Sequence, residues 1–215
     1  MSWLTRRISL HSNDTPNEEL ANGLTHLVGA VAALVGTVLL AIASRSGTER
    51  FANLVFGGSM ITLFCASAAY HLSPAGSSAK RLFRLADHLA IFLLIAGTYT
   101  PVMTALNTTW SRWTLVAVWT LALVGMTLKV LLWDRFRLWQ VLFFLAMGWL
   151  AAIRIDTIVA TLRPQFVRLL IAGGLFYTAG TIVYAAKRLP YHHAIWHLFV
   201  LAGAGSFFWG IYRYL

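Results

Sequence analysis

Four ionisable side chains lie inside or at the ends of long apolar stretches of the chain. His71 ends one stretch, Asp87 lies near the start of the next, and His193 and His197 lie near the start of the last. Ionisable groups are costly in the hydrocarbon of a bilayer, so each of them is a candidate functional residue. Imidazoles together with a carboxylate are a ligand set typical of zinc. These residue types therefore predict a metal site.

The spacing of the histidines favours one shared ion. His193 and His197 are four residues apart, which on a helix places both imidazoles on one side. His71 would add a third ligand, and three protein ligands plus one water is the usual arrangement of catalytic zinc, which lowers the pKa of that water to about 7. Asp87 could accept a hydrogen bond from the water or act as general base. Ser67, one turn before His71, could orient an imidazole or an attacked carbonyl group.

Simpler interpretations apply to other polar residues of these stretches. A single intramembrane histidine is more often a hydrogen-bonding group between helices than a metal ligand. This interpretation covers His26, His88 and His192. Asp87 has an alternative interpretation of its own, as the ion-pair partner of Arg84 or Lys80.

Composition assigns the chain to the membrane. Its 215 residues are 59% hydrophobic and 11% charged, with a mean hydropathy of +0.70, whereas soluble domains are about half apolar and a quarter charged. The net charge of +10 is spread over short loops, which argues against nucleic acid as a partner and favours anionic lipid headgroups. Cys65 is the single cysteine, so no intrachain disulfide is possible.

Seven apolar runs are long enough to cross a bilayer as helices, which need about 20 residues each. Their approximate bounds are 21–44, 51–73, 84–106, 111–133, 138–158, 166–186 and 192–213. The runs are too long and too evenly apolar for the strands of a membrane barrel. The sequence therefore predicts an all-α fold, a polytopic bundle of seven transmembrane helices. Residues 1–20 are predicted to form a polar cytoplasmic tail, and residues 21–215 a single transmembrane domain.

Alternation of the seven spans brings the candidate residues to one membrane face. The second span ends, and the third and seventh begin, on the side of the N-terminus, so His71, Asp87, His193 and His197 share that face. With the N-terminus inside, ten of the 17 lysine and arginine residues fall on the inner side and seven on the outer side. The positive-inside rule therefore favours the cell (inner) membrane with a cytoplasmic N-terminus and an outer C-terminus.

Four segments of the chain are recognisable as signatures. Residues 67–71 read S-x-x-x-H and residues 193–203 begin H-x-x-x-H, while residues 87–101 and 18–26 match a third-helix and an N-terminal element. Together these segments resemble the progestin and adipoQ receptor family, and the resemblance covers nearly the whole chain. The short length, with AMGW and KRLPY further along the chain, points to the bacterial branch known as haemolysin III.

The resemblance implies a seven-helix bundle with zinc near the cytoplasmic face. The implied ligands are His71, His193 and His197. Asp87 matches the acidic residue that contacts the zinc water in the family, and Ser67 matches its second-helix serine. Animal receptors of the family resemble ceramide-hydrolysing enzymes, and the wider superfamily includes alkaline ceramidases, so the resemblance implies chemistry on a lipid amide.

The chain departs from this branch at Phe207, where many bacterial members carry a further histidine. The position lies almost three helical turns beyond His197, which is too far for a ligand of the same ion. We therefore expect an unchanged zinc site and a differently lined cavity.

Three functions compete at this stage. The favoured one is a zinc-dependent hydrolase with zinc as cofactor and an amide or ester of a membrane lipid as substrate. The second is a non-enzymatic receptor or membrane-state sensor with a structural zinc, which would need a fourth protein ligand such as Asp87 at about 2.0–2.2 Å. The third is a pore-forming cytolysin, which the apolar composition and the lack of an export signal disfavour. The identity of the lipid and the oligomeric state stay open.

Overall fold

The computed structural model of the chain describes residues 3–10, 14–135 and 137–215. Every regular element in these ranges is a helix, which confirms the all-α prediction. Their bounds are α1 Trp3–Arg7, α2 Pro16–Ala43, α3 Gly47–Leu72, α4 Ser78–Leu106, α5 Thr109–Leu131, α6 Arg137–Gly148, a 3₁₀ helix Leu150–Arg154, α7 Ile155–Thr161, α8 Pro164–Ala185 and α9 His192–Tyr214. Among the described residues, seven segments are long and apolar enough to cross a bilayer. The chain is therefore a multi-pass membrane protein.

Side-chain caps mark where four of the long helices begin. The Thr15 hydroxyl accepts a hydrogen bond from Glu18 N–H, the Glu18 carboxylate accepts one from Thr15 N–H, and Pro16 occupies the first turn. Because these bonds satisfy the exposed N–H groups of the first turn, α2 begins at Pro16, inside the predicted tail 1–20 and ahead of the apolar run. Serine or threonine caps also open α3, α4 and α5.

The fifth span is not one continuous α-helix. The chain leaves α6 at Gly148 and passes through the 3₁₀ helix before α7 begins. The Tyr99 hydroxyl of α4 lies 2.9 Å from the carbonyl oxygens of Met147 and Gly148, and it accepts a hydrogen bond of 2.9 Å from Ala151 N–H. These contacts pair backbone groups that a break would leave unsatisfied in the membrane.

The bundle is packed around α3 and α4. Phe56 of α3 and Phe92 and Ala96 of α4 have 0% of their surface exposed. Large apolar side chains such as Val28 and Ile42 instead face outward. A bilayer accommodates such an apolar exterior, because lipid tails solvate these side chains as well as a protein core does.

Glycines allow α2, α3 and α4 to approach closely. A Cβ added at Gly97 of α4 would lie 2.8 Å from Cβ of Ser59 on α3, and a Cβ added at Gly57 of α3 would lie 2.8 Å from Cβ of Thr37 on α2. Small residues at such crossings are the usual means of packing membrane helices. The three helices therefore have a defined register, which sets the relative positions of their ends.

Replacement of Gly97 by alanine is expected to destabilise the bundle by about 1–3 kcal/mol, the typical cost of overpacking, because the new methyl group would overlap Ser59. Gly58→Ala is the matched control, since a Cβ at that position meets nothing within 4 Å. The free energy of unfolding, measured by titrating the detergent-solubilised protein with SDS, should fall for G97A alone. Equal unfolding midpoints for the two variants would contradict the close contact between α3 and α4.

Candidate metal centre

Three histidines meet at one end of the bundle because of where their helices begin and end. His71 lies in the last turn of α3, and His193 and His197 lie in the first two turns of α9, which leaves from the same end. The ring centroids are 4.7 Å apart for His71 and His193, 4.7 Å for His193 and His197, and 5.2 Å for His71 and His197. One ring nitrogen from each lies within 4.8 Å of the other two. The three imidazoles could therefore hold one metal ion.

Carboxylates orient two of these imidazoles at their Nδ1 atoms. Oε2 of Glu19 lies 2.8 Å from Nδ1 of His71, and Oδ2 of Asp14 lies 3.4 Å from Nδ1 of His193. An ionised carboxylate only accepts hydrogen bonds, so the two ring nitrogens donate. The opposite nitrogen, Nε2, then carries a lone pair that is available to a metal.

The third imidazole is oriented by backbone and by ring stacking. Nδ1 of His197 lies 3.0 Å from the backbone oxygen of Asn22. His26 stacks on His197 with a centroid distance of 3.5 Å and an angle of 12° between the planes. Neither ring nitrogen of His26 has a hydrogen-bond partner among the described residues. The interpretation of His26 as a hydrogen-bonding group between helices is therefore wrong among the described residues. The ring packs by its face against His197 and not by its polar edge.

One buried ring nitrogen of His71 indicates that these residues fit a metal ion. Its Nε2 is buried and lacks a hydrogen-bond partner among the described residues, although only 3% of His71 is exposed. A buried polar atom without a partner is costly, and native structures contain few of them. A zinc ion would satisfy this lone pair, and a three-imidazole set leaves a fourth position for water or substrate. The donor set therefore fits zinc.

Asp87 lies beside the histidine cluster and not in it. The residue is 8% exposed, and its Oδ2 lies 3.5 Å from Nδ1 of the neighbouring His88. It lies on α4, which begins at the end of the bundle where α3 ends. The set of mutually close ligand atoms in the described residues nevertheless consists of the three histidines alone. This position suits a group that acts on a water or substrate beside the ion.

The cations considered as partners of Asp87 have other partners. Nζ of Lys80 lies 3.2 Å from Oε2 of Glu19, and Arg84 donates a hydrogen bond to the backbone oxygen of Ser9. The ion pair considered for Asp87 is therefore replaced by these contacts. The reason is that Glu19 and the N-terminal segment also reach the first turns of α4.

The hydroxyl group of Ser67 is buried close to His71 in the sequence. The residue lies one turn before His71 on α3 and has 0% exposure, and its Oγ has no hydrogen-bond partner among the described residues. Buried hydroxyls elsewhere in the bundle bond to the preceding helical turn, as that of Thr98 does to the carbonyl of Leu94 at 2.7 Å. The Ser67 hydroxyl is therefore available to an imidazole, a water or a substrate.

Two further histidines lie outside the cluster. His88 stacks on Trp133 with a centroid distance of 5.0 Å. Nε2 of His192 accepts a hydrogen bond of 3.3 Å from Nζ of Lys187, in the loop that precedes α9. His192 thus forms a hydrogen bond, as interpreted from the sequence, but to a loop residue and not to another helix.

Three parts of the site are not evident from the sequence. They are Asp14, Glu19 and Lys80. The available signal is topological, because all three lie at the membrane face on which the histidines converge. Glu19 lies in the first turn of α2, where an acidic residue is ordinarily explained by the helix dipole, so its hydrogen bond to an imidazole is hidden behind that common role.

An apolar cavity lies deeper in the bundle, away from the histidines. It is bounded by α4, the broken fifth span, α8 and α9, and Tyr99, Trp149 and Phe207 are among its lining residues. A Cβ added at Gly173 would lie 2.6 Å from the ring of Phe207, so this glycine makes room for that ring. Phe207, the position at which the chain departs from the bacterial branch, therefore gives this cavity an apolar wall.

Comparison with known proteins connects the site to a family. The family described as haemolysin-III related matches residues 15–208. The chain is 39% identical to the hemolysin-3 homolog of Bacillus subtilis (strain 168), over 93% of the chain and 95% of that relative. It is also 39% identical to hemolysin-3 of Bacillus cereus, over 92% of each. It is 28% identical to the human monocyte to macrophage differentiation factor, over 92% of the chain and 84% of that protein.

Purified protein is expected to contain about one zinc ion per chain, measured by inductively coupled plasma mass spectrometry. His71→Ala, His193→Ala and His197→Ala should each lose most of it, because two imidazoles hold the ion far more weakly than three. His192→Ala is the matched control, since it neighbours His193 but lies outside the cluster. Folded wild-type protein without metal would contradict the site, and so would equal zinc loss in H192A and H193A.

Proposed function

The chain belongs to the haemolysin III-related family of membrane proteins, and from that premise we propose that its histidine cluster binds zinc and hydrolyses an amide or ester bond of a membrane lipid. The arrangement of His71, His193 and His197 carries this proposal, since each Nδ1 atom faces an acceptor and the three rings lie around a common centre. Structural zinc is usually closed by four protein ligands, whereas catalytic zinc keeps one position open. An open three-histidine set is the catalytic arrangement.

Membrane lipid is the proposed substrate because of the depth at which the site lies. The histidines occupy the ends of α3 and α9, next to large apolar side chains that face outward, such as Leu72 and Leu198. Lipids carry their amide and ester bonds between the headgroup and the acyl chains, at the same boundary level. Bound zinc would supply a Lewis acid that polarises a carbonyl group and acidifies water.

Asp87 is the proposed general base and acid. Its carboxylate would take a proton from the attacking water as the new carbon–oxygen bond forms. It would then return that proton to the leaving nitrogen or oxygen as the amide or ester bond breaks, which yields a fatty acid and an amine or alcohol. Its burial on α4, outside the group of mutually close ligand atoms, suits this role.

Ser67 is the proposed hydrogen-bond donor for the reacting group. Its buried and unengaged hydroxyl lies one turn from His71, on the same helix. A donor aimed at the carbonyl oxygen would stabilise the negative charge that develops there during attack. The same hydroxyl could instead orient a neighbouring imidazole.

The proposed location is the cell (inner) membrane, with the histidine end facing the cytoplasm. The bias of ten basic residues against seven supports this orientation. The net charge of +10 suits a membrane rich in anionic lipid. Lys80 and Arg84 at the histidine end form hydrogen bonds within the protein, to Glu19 and to the backbone of Ser9.

Asp87→Asn is expected to slow lipid hydrolysis about 10²–10⁴-fold, the usual contribution of a general acid–base residue, while zinc content stays at the wild-type level. Asp156→Asn is the control, because Asp156 is exposed and pairs with Arg154 in the fifth span. Turnover is measured by mass spectrometry of the fatty acid released from a panel of lipid amides and esters in liposomes.

Two results of this experiment would contradict the hydrolase. Zinc-loaded wild-type protein that releases product from no lipid of the panel would do so directly. D87N protein that loses its zinc would make Asp87 a fourth ligand, which favours the sensor with a structural ion.

A cysteine placed at Ala75, in the loop between α3 and α4, is expected to react with a membrane-impermeant maleimide in inside-out vesicles and not in intact cells. The variant is made after replacement of Cys65, which is exposed, by serine. Thr48→Cys at the opposite end of α3 should show the reverse pattern, because one span separates the two positions. Labelling of A75C in intact cells would overturn the proposed orientation.

A further inference from the structure

Residues 14–22, which we call the clasp, comprise the residues just before α2 and its first turns. We infer that the clasp is part of the metal centre, with Glu19 and Asp14 as positioning residues that hold the imidazoles in the metal-binding tautomer. This inference rests on the zinc-binding part of the proposed function and not on hydrolysis. It also couples metal binding to the docking of the clasp.

This one short segment supplies an acceptor to each of the three Nδ1 atoms. The acceptors are the Asp14 carboxylate at 3.4 Å from His193, the Glu19 carboxylate at 2.8 Å from His71 and the Asn22 backbone oxygen at 3.0 Å from His197. Oγ1 of Thr25 also lies 3.2 Å from Nδ1 of His197. A hydrogen bond from Nδ1 leaves the lone pair on Nε2, and it also fixes the rotation of the ring. The clasp therefore contributes to both the tautomer and the orientation of each imidazole, and stacking of His26 adds to the orientation of His197.

Glu19 is held in place from a second direction. Nζ of Lys80 lies 3.2 Å from Oε2 of Glu19, and the same ammonium group lies 3.2 Å from the backbone oxygen of Tyr70 and 3.3 Å from that of His71. Lys80 thus ties Glu19 to the C-terminal end of α3, the helix that carries His71. A positive charge at a helix C-terminus is favourable on its own account, so this connection also stabilises that helix end.

Asp14 is held within the clasp itself. Nδ2 of Asn22 donates a hydrogen bond of 3.2 Å to the same oxygen of Asp14 that faces His193. Asn22 has 0% exposure, and 11% of the Asp14 side chain is exposed. The carboxylates of Asp14 and Glu19 also place negative charge near the zinc ion, whose charge the three neutral imidazoles would not neutralise.

Glu18 provides a contrast within the same segment. Its Oε1 accepts a hydrogen bond of 2.9 Å from Tyr191 N–H, and its other oxygen completes the capping box with Thr15. Glu18 therefore holds the clasp to the start of α9, with no hydrogen bond to an imidazole in the described part of the chain. Glu18 and Glu19 are therefore a matched pair for experiments. A change at Glu18 affects docking of the segment, whereas a change at Glu19 also affects the orientation of a metal ligand.

Metal binding and clasp docking must stabilise each other if the clasp orients the ligands, because thermodynamic coupling between two binding events is reciprocal. Zinc should then protect backbone amides of residues 14–22 from hydrogen exchange. Loss of the Asp14 and Glu19 hydrogen bonds to the imidazoles should weaken zinc binding by the same factor by which zinc strengthens those hydrogen bonds.

Glu19→Gln is expected to weaken zinc binding about 10–100-fold, the usual effect of removing the group that orients a metal-bound histidine. Glu18→Gln is the matched control and should change affinity by less than about threefold, because glutamine also completes a capping box. Affinity is measured on the full chain in detergent by competition with a chromophoric chelator. The visible spectrum of the cobalt(II)-loaded protein should change in E19Q and not in E18Q, a change that weaker helix packing alone would not cause.

Asp14→Asn serves as the second variant, since it removes a carboxylate outside the helix and should leave α2 folded while lowering zinc affinity. Equal affinities and equal cobalt spectra in wild type, E19Q and D14N would overturn the inference, even if the protein hydrolyses lipids. Equal losses in E19Q and E18Q would also overturn it, because docking alone would then explain the effect. Weaker binding in E19Q and D14N alone would support the clasp even in a protein without hydrolase activity.

Discussion

The cost of leaving a polar group unpaired in a bilayer governs this structure. Backbone groups are satisfied within helices, so polar side chains are needed only where a helix ends or breaks. Lys80 pairs the last carbonyl groups of α3, and the Tyr99 hydroxyl pairs those at the break in the fifth span. In both places a residue of α4, the helix at the centre of the bundle, supplies the missing partner.

The same rule makes the histidine end informative about function. Some polar groups there are paired, and the Glu19 carboxylate accepts hydrogen bonds from both His71 and Lys80. Nε2 of His71 and Oγ of Ser67 are buried without a partner among the described residues. Unused bonding capacity in a buried place is costly, so it points to an ion, a water or a substrate that completes the arrangement.

Close packing converts local features into a defined site. Gly57 and Gly97 let α2, α3 and α4 approach until side chains of one helix contact the backbone region of the next. The end of α3 is thereby placed beside the first turns of α2 and α4, which brings His71 next to Glu19. Helix packing in membranes depends on such shape complementarity, because lipid gives apolar side chains no reason to prefer one another.

The sequence by itself determined the seven spans and their alternation, and hence that His71, His193 and His197 share one end. Those properties follow from hydrophobic length and helical spacing, which are local to the chain. Only the tertiary structure decided that Lys80 binds Glu19 and not Asp87, that His26 stacks on His197, and that the fifth span breaks at Gly148. Such choices depend on which helices are neighbours and how they are rotated, and no local pattern encodes the lateral arrangement of helices in a bilayer.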